Sequence, residues 1–327
     1  MGDVLSGGPG RPPWRPPRRL VVAASASALA AALVAGVVAV GGSDDGGAVP
    51  RSPAPASPAG SPFPDGPDAA VAAGQTPGLV ITGMPLPKDA TLIRHDRTAL
   101  AGPWTVVVRR AGGSLGRNGA VVTFPVPAPA GGRPVRVGDA SGRAREHEIT
   151  WPVAGSYARV RGDLPRTDLI AVAAATGVAS GRPAVDPPPG LTVVSRGPSR
   201  PGRLLEARYS SKATGESEAL SGGLTFTGVA RCGGLEDGLY AAPVRTAGTV
   251  HGRPAVVASG VGGNGALVWE PTPGVVAYVG YSGATLDDAA VAALRRLAAR
   301  TRLLTPAQWR ATAPATSDQA NDLDPSA

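Results

Sequence analysis

The sequence predicts an α+β protein that an N-terminal helix anchors in a membrane. Three observations lead to this prediction: an uncharged apolar run at residues 20–40, a Pro-rich stretch directly behind it, and later strand-forming segments followed by an amphipathic helix. The 327 residues are enough for two domains of ordinary size beyond the anchor. We therefore expect one N-terminal transmembrane helix, a disordered Pro-rich tether and two tandem units, each an antiparallel sheet with a helix.

The membrane anchor is predicted at residues 20–40, LVVAASASALAAALVAGVVAV. A helix of this length spans roughly 30 Å, the thickness of the hydrocarbon core of a bilayer. Basic residues precede the run and acidic residues follow it: Arg11, Arg15, Arg18 and Arg19, and then Asp44 and Asp45. By the positive-inside rule, residues 1–19 form a cytoplasmic tail and the remainder is extracellular. We therefore expect a single-pass protein of the cell membrane.

A cleaved secretory signal is the rival interpretation of the same run. The apolar core of such a signal has about 7–15 residues, and a small-residue cleavage site follows it. The segment Ala39-Val40-Gly41 matches such a site poorly, so an uncleaved anchor is favoured. Small residues recur every four positions along the helix, at Ala24, Ala28, Ala32 and Gly36. They could pair two membrane helices into a homodimer, although an Ala-rich segment also produces this spacing by chance.

The tether is predicted at residues 41–75, where Pro recurs with Ser, Ala and Gly. This composition cannot build a core and favours extended, polyproline-like conformations. The tether would lift the following units off the membrane. Residues 313–327 are polar and contain Pro, so we predict a disordered tail there.

The clearest local pattern lies near the C-terminal end. Strands are predicted at 254–258, 266–270 and 275–281, with turns at 262–265 and 272–274. The Asn264-Gly265 pair supplies the positive φ that a tight hairpin needs. Thr285 is then predicted to cap a helix, with Asp288 as its capping-box partner. Apolar residues recur along that helix at i, i+3 and i+4.

A similar order of patterns occurs earlier in the chain. Three pairs of segments resemble each other: residues 132–137 and 252–257, residues 149–157 and 267–276, and residues 163–172 and 285–294. The ordered set of a strand, a Trp-containing strand, a Gly turn, a strand and a helix therefore occurs twice. We predict two tandem α+β units, at residues 76–184 and 185–312.

The strands that contain Trp151 and Trp269, with the helix after each, resemble the exported sheet-and-helix domains of the LolA/RseB-like lipoprotein-carrier and sigma-regulator superfamily. The resemblance covers the β-β-β-helix part of each unit and involves no diagnostic motif. It implies a curved sheet with helices against one face, which binds acyl chains or partner proteins without chemistry. It also implies that Trp151 and Trp269 lie in the core rather than in a site.

Composition narrows the choice of partners. The net charge is +8, but the basic residues are scattered and no aromatic residues are interleaved with them. Nucleic acid is therefore not expected as a partner. The sequence has no stripe of basic residues that could follow a phosphate backbone, and export separates the protein from nucleic acid. Cys232 is the single cysteine, so it could pair two chains, although a small buried apolar residue is the commoner role.

Two short motifs are better explained by structure than by chemistry. Residues 260–265 match G-x-G-x-x-G, but a dinucleotide site needs a helix after this loop and a strand is predicted instead. Residues 280–284 approach the nucleophile elbow around Ser282. No His follows Ser282 in the sequence, so a catalytic triad in the order of that motif is not expected.

The titratable residues suggest no site either. His95, His147 and His251 each stand alone, without the spacing of a metal site. Glu146-His147-Glu148 is the densest cluster, and a solvated strand or loop is expected there. The adjacent acids at 236–237 and 287–288 are interpreted as a turn and a helix N-terminus. We predict no catalytic, cofactor-binding or metal-binding residue, and no cofactor.

Three functions remain open from the sequence. The first is a non-enzymatic, membrane-anchored extracytoplasmic module that binds or senses an envelope protein or polymer. The second is a carrier or sensor of an acyl or lipid ligand, which predicts an apolar cavity between sheet and helix. The third is a hydrolase with an unrecognised site, which predicts Ser, His and an acid that meet from distant parts of the chain.

Overall fold

The computed structural model describes residues 77–84, 86, 91–94, 103–199, 203–220, 223–230, 233–241, 244–259, 265–283 and 286–312. The predicted tail 1–19, anchor 20–40, tether 41–75 and C-terminal tail 313–327 lie outside these residues. Within the described ranges, no helix is both long enough and apolar enough to cross a membrane. The membrane anchor at residues 20–40 therefore stays a prediction.

The predicted α+β class was wrong, because the described residues are mostly antiparallel β-sheet, with 55% strand and 20% helix. The helices after the two Trp-containing hairpins have only nine and twelve residues. By contrast, two neighbouring strands, Trp104–Ser114 and Arg117–Val126, already take eleven and ten residues. The sequence interpretation recognised these two helices and left much of the β-branched sequence of the two strands without an element.

The strands of the described residues are β1 (Gly78–Ile81), β2 (Thr91–Arg94), β3 (Trp104–Ser114), β4 (Arg117–Val126), β5 (Arg133–Val137), β6 (Ala140–Ala144), β7 (Glu148–Val153), β8 (Ser156–Gly162), β9 (Thr176–Ala179), β10 (Arg182–Val185), β11 (Leu191–Pro198), β12 (Arg203–Ser210), β13 (Leu224–Ala230), β14 (Val244–Val250), β15 (Arg253–Ser259), β16 (Gly265–Thr272), β17 (Val275–Ser282) and β18 (Thr301–Leu304). The helices are α1 (Arg166–Ala174), α2 (Ser211–Thr214), α3 (Gly233–Ala241), α4 (Asp288–Ala299) and α5 (Pro306–Ala311).

Most strands belong to two seven-stranded antiparallel sheets. The first sheet has the order β11-β3-β4-β8-β7-β6-β5, and the second has the order β14-β15-β16-β17-β13-β12-β2. Two short ribbons, β1 with β18 and β10 with β9, complete the pairing. Every pair is antiparallel, so neighbouring strands along the chain can join through short turns.

The strand pairing repeats at an interval of nine strands. Each pair within β1–β9 has a counterpart nine strands later; for example, β7 pairs with β8 as β16 pairs with β17. The register agrees as well, since Trp151 is opposite Ala158 and Trp269 is opposite Ala277. The Gly-Arg-Pro likeness does not follow this repeat, because it opens β5 at one place and β15 at the other.

The strand repeat divides the described chain into two halves, β1–β9 and β10–β18. The first two strands of each half pair with strands of the other half. Strand β2 pairs with β12, and strand β11 pairs with β3. In the same way, β1 pairs with β18 and β10 pairs with β9. The predicted boundaries 76–184 and 185–312 stay a prediction, since strand pairing crosses residue 184 in both directions.

Each sheet buries its outer face against a helix. Helix α1 packs Leu169 and Val172 into a cluster with Trp151 of the first sheet. Helix α4 packs Leu294 and Leu297 into the corresponding cluster of the second sheet, which includes Trp269. Both tryptophans are 2% exposed, so both lie in a core.

Helix α3 lies between the inner faces of the two sheets. Its Leu235 and Leu239 share a cluster with residues of the second sheet such as Phe226 and Val268. The opposite side of the helix contacts the first sheet, as described below. The layers are therefore α1, first sheet, α3, second sheet and α4.

Helix α4 begins slightly later than predicted. Its N-cap is Asp287, whose carboxylate accepts a hydrogen bond from the Ala290 amide at 2.8 Å. Thr285, the predicted cap, lies outside the described residues. The hairpin before the helix runs close to the prediction, with β16 and β17 joined across Pro273 and Gly274.

Candidate functional site: an interfacial ion network and an arginine-lined groove

The inner face of the first sheet carries charged residues under helix α3. Alternation along the strands puts Arg109 of β3, and Arg159 and Arg161 of β8, on this face, while their neighbours Val108 and Val160 enter the outer core. Helix α3 brings Glu236 and Asp237 down onto these arginines. We call seven residues the interfacial ion network: Arg109, Glu148, Arg159, Arg161, Glu236, Asp237 and Glu270.

Arg109 ties both sheets and α3 together. Its guanidinium makes a two-pronged contact with Glu236, with Nε–Oε1 at 3.0 Å and Nη2–Oε2 at 2.6 Å. Its Nη1 donates to Glu270 of β16 in the second sheet. The Tyr240 hydroxyl donates to Glu236 Oε1 at 3.2 Å. Such planar pairing of guanidinium and carboxylate gives both energy and orientation.

Burial and ion pairing have opposite effects on the pKa values of the residues in this cluster. Burial lowers the pKa of Arg109, but the charges and hydrogen bonds of Glu236 and Glu270 outweigh it, so the pKa is raised. For Glu236 the balance is opposite: burial raises the pKa, and Arg109 only partly offsets this. The pKa of Tyr240 is also raised, first by burial and then by the charge of Glu236. Arg109 is therefore a permanent cation, and burial opposes the ionisation of Glu236 and Tyr240.

Asp237 joins a second cluster on β7 and β8. Its Oδ2 accepts from Arg159 Nη2 and, at 3.3 Å, from Arg161 Nη1. Arg161 also binds Glu148, with Nη2–Oε2 at 2.8 Å and Nε–Oε2 at 3.1 Å. Burial raises the pKa of Asp237 and lowers the pKa of Arg159, although each partner opposes the shift of the other.

Three polar atoms in this second cluster are buried without a hydrogen-bond partner among the described residues. They are Thr123 Oγ1, Arg159 Nε and Asp237 Oδ1. Thr123 and Arg159 are directly opposite each other on β4 and β8. A buried polar atom without a partner costs free energy, so this part of the interface is less favourable than the Arg109 cluster.

The inner face of the second sheet has its own buried acid. Glu206 of β12 is fully buried, and its carboxylate accepts from Arg208 Nε at 2.9 Å and from the Tyr278 hydroxyl at 3.2 Å. Burial raises the pKa of Glu206, and Arg208 and Tyr278 lower it by a smaller amount. Both inner faces therefore combine buried charge with local pairing.

A cleft of about 350 Å³ opens along the seam where the two sheets meet. The first sheet contributes Arg109, Arg110 and Thr192, and the second sheet contributes Arg253 and Glu270. The Gly-rich end of β3, residues 111–113, forms a wall with almost no side chains. We call this the seam cleft.

A second cleft, of about 390 Å³, lies at the ends of β1, β15, β16 and β18. Its apolar wall is formed by Leu79, Trp269, Pro271 and Leu303, and its polar wall by His251, Arg253, Thr301 and Arg302. His251 sits in the two-residue turn between β14 and β15, where His251 and Gly252 have φ of 48° and 75°, as that kind of turn requires. We call this the strand-end cleft.

Arg253 lines both clefts, and we call the two clefts together the groove. Among the described residues, the two clefts are lined by four arginines, Arg109, Arg110, Arg253 and Arg302, and one acid, Glu270. Glu270 is already bonded to Arg109 and to the Gly274 amide. Arg253 and Arg302 are exposed, and their side chains form no hydrogen bond or ion pair with any residue that the structure describes. The groove therefore has an excess of positive charge.

The residues weighed from the sequence lie apart from one another. Ser282 ends β17, and its hydroxyl bonds the Leu224 backbone N and O, both at 3.3 Å. His147 and Glu146 lie exposed in a bend before β7, and His251 lies in the strand-end cleft. Residues 260–264, His95 and Cys232 lie outside the described residues. In the part that is described, no group of three or more His, Cys, Asp or Glu could hold a metal ion.

The interfacial acids were misinterpreted from the sequence. Glu236 and Asp237 were interpreted as a turn, but they lie in α3 and are buried between the sheets. A signal was present in Arg159-Val160-Arg161, where alternation puts two arginines on one face of a strand. Such a face is usually solvated, and no local pattern indicates that a helix from the other half covers it.

No protein-family model, curated protein or solved structure matches this chain. The resemblance to LolA/RseB-like domains therefore stays a prediction.

Proposed function

We propose that this protein is a non-enzymatic, membrane-anchored extracytoplasmic module that binds an envelope protein or polymer through the groove. The observation that supports this most directly is that Arg253 and Arg302 lie exposed in the strand-end cleft and have no ion-pair partner among the described residues. A cleft lined by one sign of charge concentrates its field and attracts ligands of the opposite sign.

The rigid support under the groove fits a recognition surface. Arg109 and Glu270 line the seam cleft, and the hydrogen bond between them joins the two sheets. The seam is closed further by the Arg117 guanidinium, which donates to Thr246 Oγ1 at 2.7 Å. A site supported by packed sheets keeps its geometry before the ligand arrives, which reduces the cost of binding.

The predicted tether gives the module its reach. A Pro-rich chain rises about 3.1 Å per residue, so residues 41–75 could extend roughly 110 Å from the membrane. That distance would place the groove within the envelope rather than at the lipid surface. The proposal thus joins the predicted anchor at residues 20–40 to the arginine-lined surface.

The acyl-ligand hypothesis has less support. It requires a cavity between a sheet and a helix, whereas the seam and strand-end clefts lie between strands and turns. Helices α1 and α4 instead share apolar clusters with the sheets that they cover. This hypothesis stays a prediction.

Site-specific photo-crosslinking in intact cells tests the proposed function. A photoreactive amino acid would replace Thr192, which is exposed in the seam cleft, and in a matched variant Ser141, which is exposed on β6 near the far edge of the first sheet. We expect a crosslinked product from position 192 and none from position 141. Its mass after protease or glycosidase digestion identifies the partner as protein or polymer. Equal products from both positions, or none from position 192, would contradict the proposal.

A further inference from the structure

We propose that residues 313–327, which we call the acidic tail, bind in the strand-end cleft of the same chain, where Asp322 and Asp324 pair with Arg253 and Arg302. This contact goes beyond the proposed function, because it needs no outside ligand. If the proposed function holds, an outside ligand of the strand-end cleft must displace the tail. The charge of the tail, the place where it begins and the composition of the cleft walls support the contact.

The charges near the end of the sequence are segregated. Asp318, Asp322 and Asp324 are the only residues of the acidic tail with charged side chains. Every charged residue between Asp288 and Asp318 is an arginine: Arg295, Arg296, Arg300, Arg302 and Arg310. A basic part of the chain is thus followed directly by an acidic one, and opposite charges that are held close together attract each other.

The acidic tail begins close to the strand-end cleft. Strand β18 forms part of the cleft, and only Thr305 and the six residues of α5 separate this strand from Thr312. Helix α5 lies against β1, because a Cβ added at Gly78 would be 2.0 Å from the Trp309 ring, and the next residue, Leu79, lines the cleft. Ten extended residues span roughly 33–36 Å, whereas α5 is about 9 Å long. The tail can therefore return past α5 to the cleft.

The two arginines of the cleft are available to the tail. Arg253 and Arg302 are exposed, and neither forms an ion pair with a described residue. By contrast, Arg296 of α4 already binds Glu216 through two hydrogen bonds, at 2.9 and 2.6 Å. A concave surface lined by one sign of charge concentrates its field. The cleft should therefore attract aspartates more strongly than a single arginine on a helix surface does.

The order Asp322-Leu323-Asp324 fits the two walls of the cleft. Side chains alternate along an extended chain, so both aspartates lie on one side and Leu323 lies on the other. The polar wall of the cleft contains both arginines, and the apolar wall contains Pro271 and Leu303. Pro271 and Leu303 are only half-buried, so Leu323 can cover the remainder of their surface. The acidic and apolar sides of this segment thus each meet a matching wall.

The covalent connection makes weak contacts sufficient. Exposed ion pairs are individually weak, and salt screens them. A short linker, however, gives a tethered ligand an effective concentration of about millimolar. We therefore expect the tail to occupy the cleft at low ionic strength and to leave it when salt is added.

Photo-crosslinking in the purified 327-residue protein tests the contact. A photoreactive amino acid replaces Leu323, and mass spectrometry of the digested product locates the attachment. We expect attachment within the same chain, at or next to Pro271 or Leu303. The yield should fall at least threefold at about 1 M salt, where the screening length is only about 3 Å.

Two double variants locate the contact. Arg253→Gln with Arg302→Gln should lower the yield roughly fivefold or more, because both countercharges of the tail are removed. Arg295→Gln with Arg310→Gln removes exposed arginines of α4 and α5 outside the cleft and should change the yield by less than about twofold. All four arginines are exposed, so unchanged thermal unfolding is expected and confirms that the variants fold.

Changing the tail provides the reciprocal test. Asp322→Asn with Asp324→Asn keeps the size of the segment and should lower the yield as much as the loss of Arg253 and Arg302 does. Equal losses from both arginine pairs, or attachment scattered over the surface, would mean diffuse attraction and would overturn the proposal. A product of doubled mass would mean that a second copy supplies the cleft, which also overturns it.

The outcome is separate from that of the proposed function, because purified protein contains no partner. If Leu323 does not attach at the cleft while position 192 still crosslinks in cells, the tail contact is wrong and the proposed function stands. If Leu323 attaches at the cleft and position 192 gives no product, the tail contact stands and the proposed function is wrong.

Discussion

Arg109 and Arg110 are consecutive residues of β3, but only Arg109 lies between the two sheets. The Arg109 side chain is 5% exposed and binds Glu236 and Glu270, whereas the Arg110 side chain is 48% exposed and binds Asp168. Alternation along a strand produces this difference, since neighbouring side chains point to opposite faces. The pair therefore offers a direct comparison of a buried and an exposed ion pair.

Arg109→Gln should lower the free energy of unfolding by about 3–5 kcal/mol, because it leaves Glu236 and Glu270 buried without a countercharge. Arg110→Gln should cost no more than about 1 kcal/mol, since its pair is screened by solvent. Equilibrium urea unfolding measures both. Similar losses from the two variants would mean that Arg109 does not hold the sheets together.

Thr123→Val should leave stability unchanged or raise it, because the Thr123 hydroxyl is buried without a hydrogen-bond partner. Thr105 is directly opposite on β3, and its hydroxyl donates to the Gly197 carbonyl at 3.0 Å. Thr105→Val should therefore cost about 1 kcal/mol. Thermal unfolding of the two variants tests this. A larger loss from Thr123→Val than from Thr105→Val would reverse the assignment.

Glu206→Gln should change how stability depends on pH. Burial raises the pKa of Glu206 above the ordinary value of 4.5, so the folded state takes up this proton at a higher pH than the unfolded state. The stabilisation that comes from this raised pKa is fully present below pH 4.5, and it is lost as the pH rises through the pKa of Glu206 in the folded state. The wild type should therefore gain stability over Glu206→Gln as pH falls from about 7 toward that value.

Urea unfolding of both proteins across this pH range measures the difference between them. Glu236 and Asp237 titrate in both proteins, so their contributions cancel in the difference. A difference that shrinks as pH falls would mean that Arg208 dominates and that the pKa of Glu206 is lowered instead.

Gly228→Ala should destabilise the second sheet by about 1–3 kcal/mol through overpacking. Gly228 is opposite Tyr278, and an added Cβ would lie 2.2 Å from the Tyr278 hydroxyl oxygen, which donates to Glu206. Gly197→Ala on β11 is the control, because its Cβ would meet nothing within 4 Å. Differential scanning calorimetry should show a lower Tm for Gly228→Ala alone. Equal Tm values would mean that Tyr278 moves freely aside.

Local sequence patterns predicted some elements well. The strand predicted at 275–281 is β17, Val275–Ser282, and the turn at 272–274 joins it to β16. These elements depend on neighbours along the chain, through period-two alternation and turn residues. The α+β class failed because strands such as β3 and β4 were not assigned, although their β-branched runs at 105–108 and 121–123 are typical of strands.

The candidate site depends on contacts that no local pattern contains. Arg109 and Glu236 are 127 residues apart in sequence, and Arg109 and Glu270 are 161 apart. Alternation shows that Arg159 and Arg161 share a face, but the covering helix α3 belongs to the other half of the strand repeat. The groove likewise needs residues of both sheets, so a single unit considered alone would not reveal it.

The exchange of first strands sets the order in which the protein can be completed. Strand β1 cannot complete its pairing until β18 has been made. Its Gly78 pairs with Leu304, and its other three residues also pair with residues of β18. At a synthesis rate of about 5–20 residues per second, the partner is made roughly 10–45 s after β1. Strands β12 and β13 contact β1 and are made earlier, but until β18 is made the backbone of Leu79, Val80 and Ile81, all buried in the finished protein, lacks its pairing strand. The newly made chain therefore carries an unpaired apolar edge at β1 until β18 arrives, and such an edge favours aggregation.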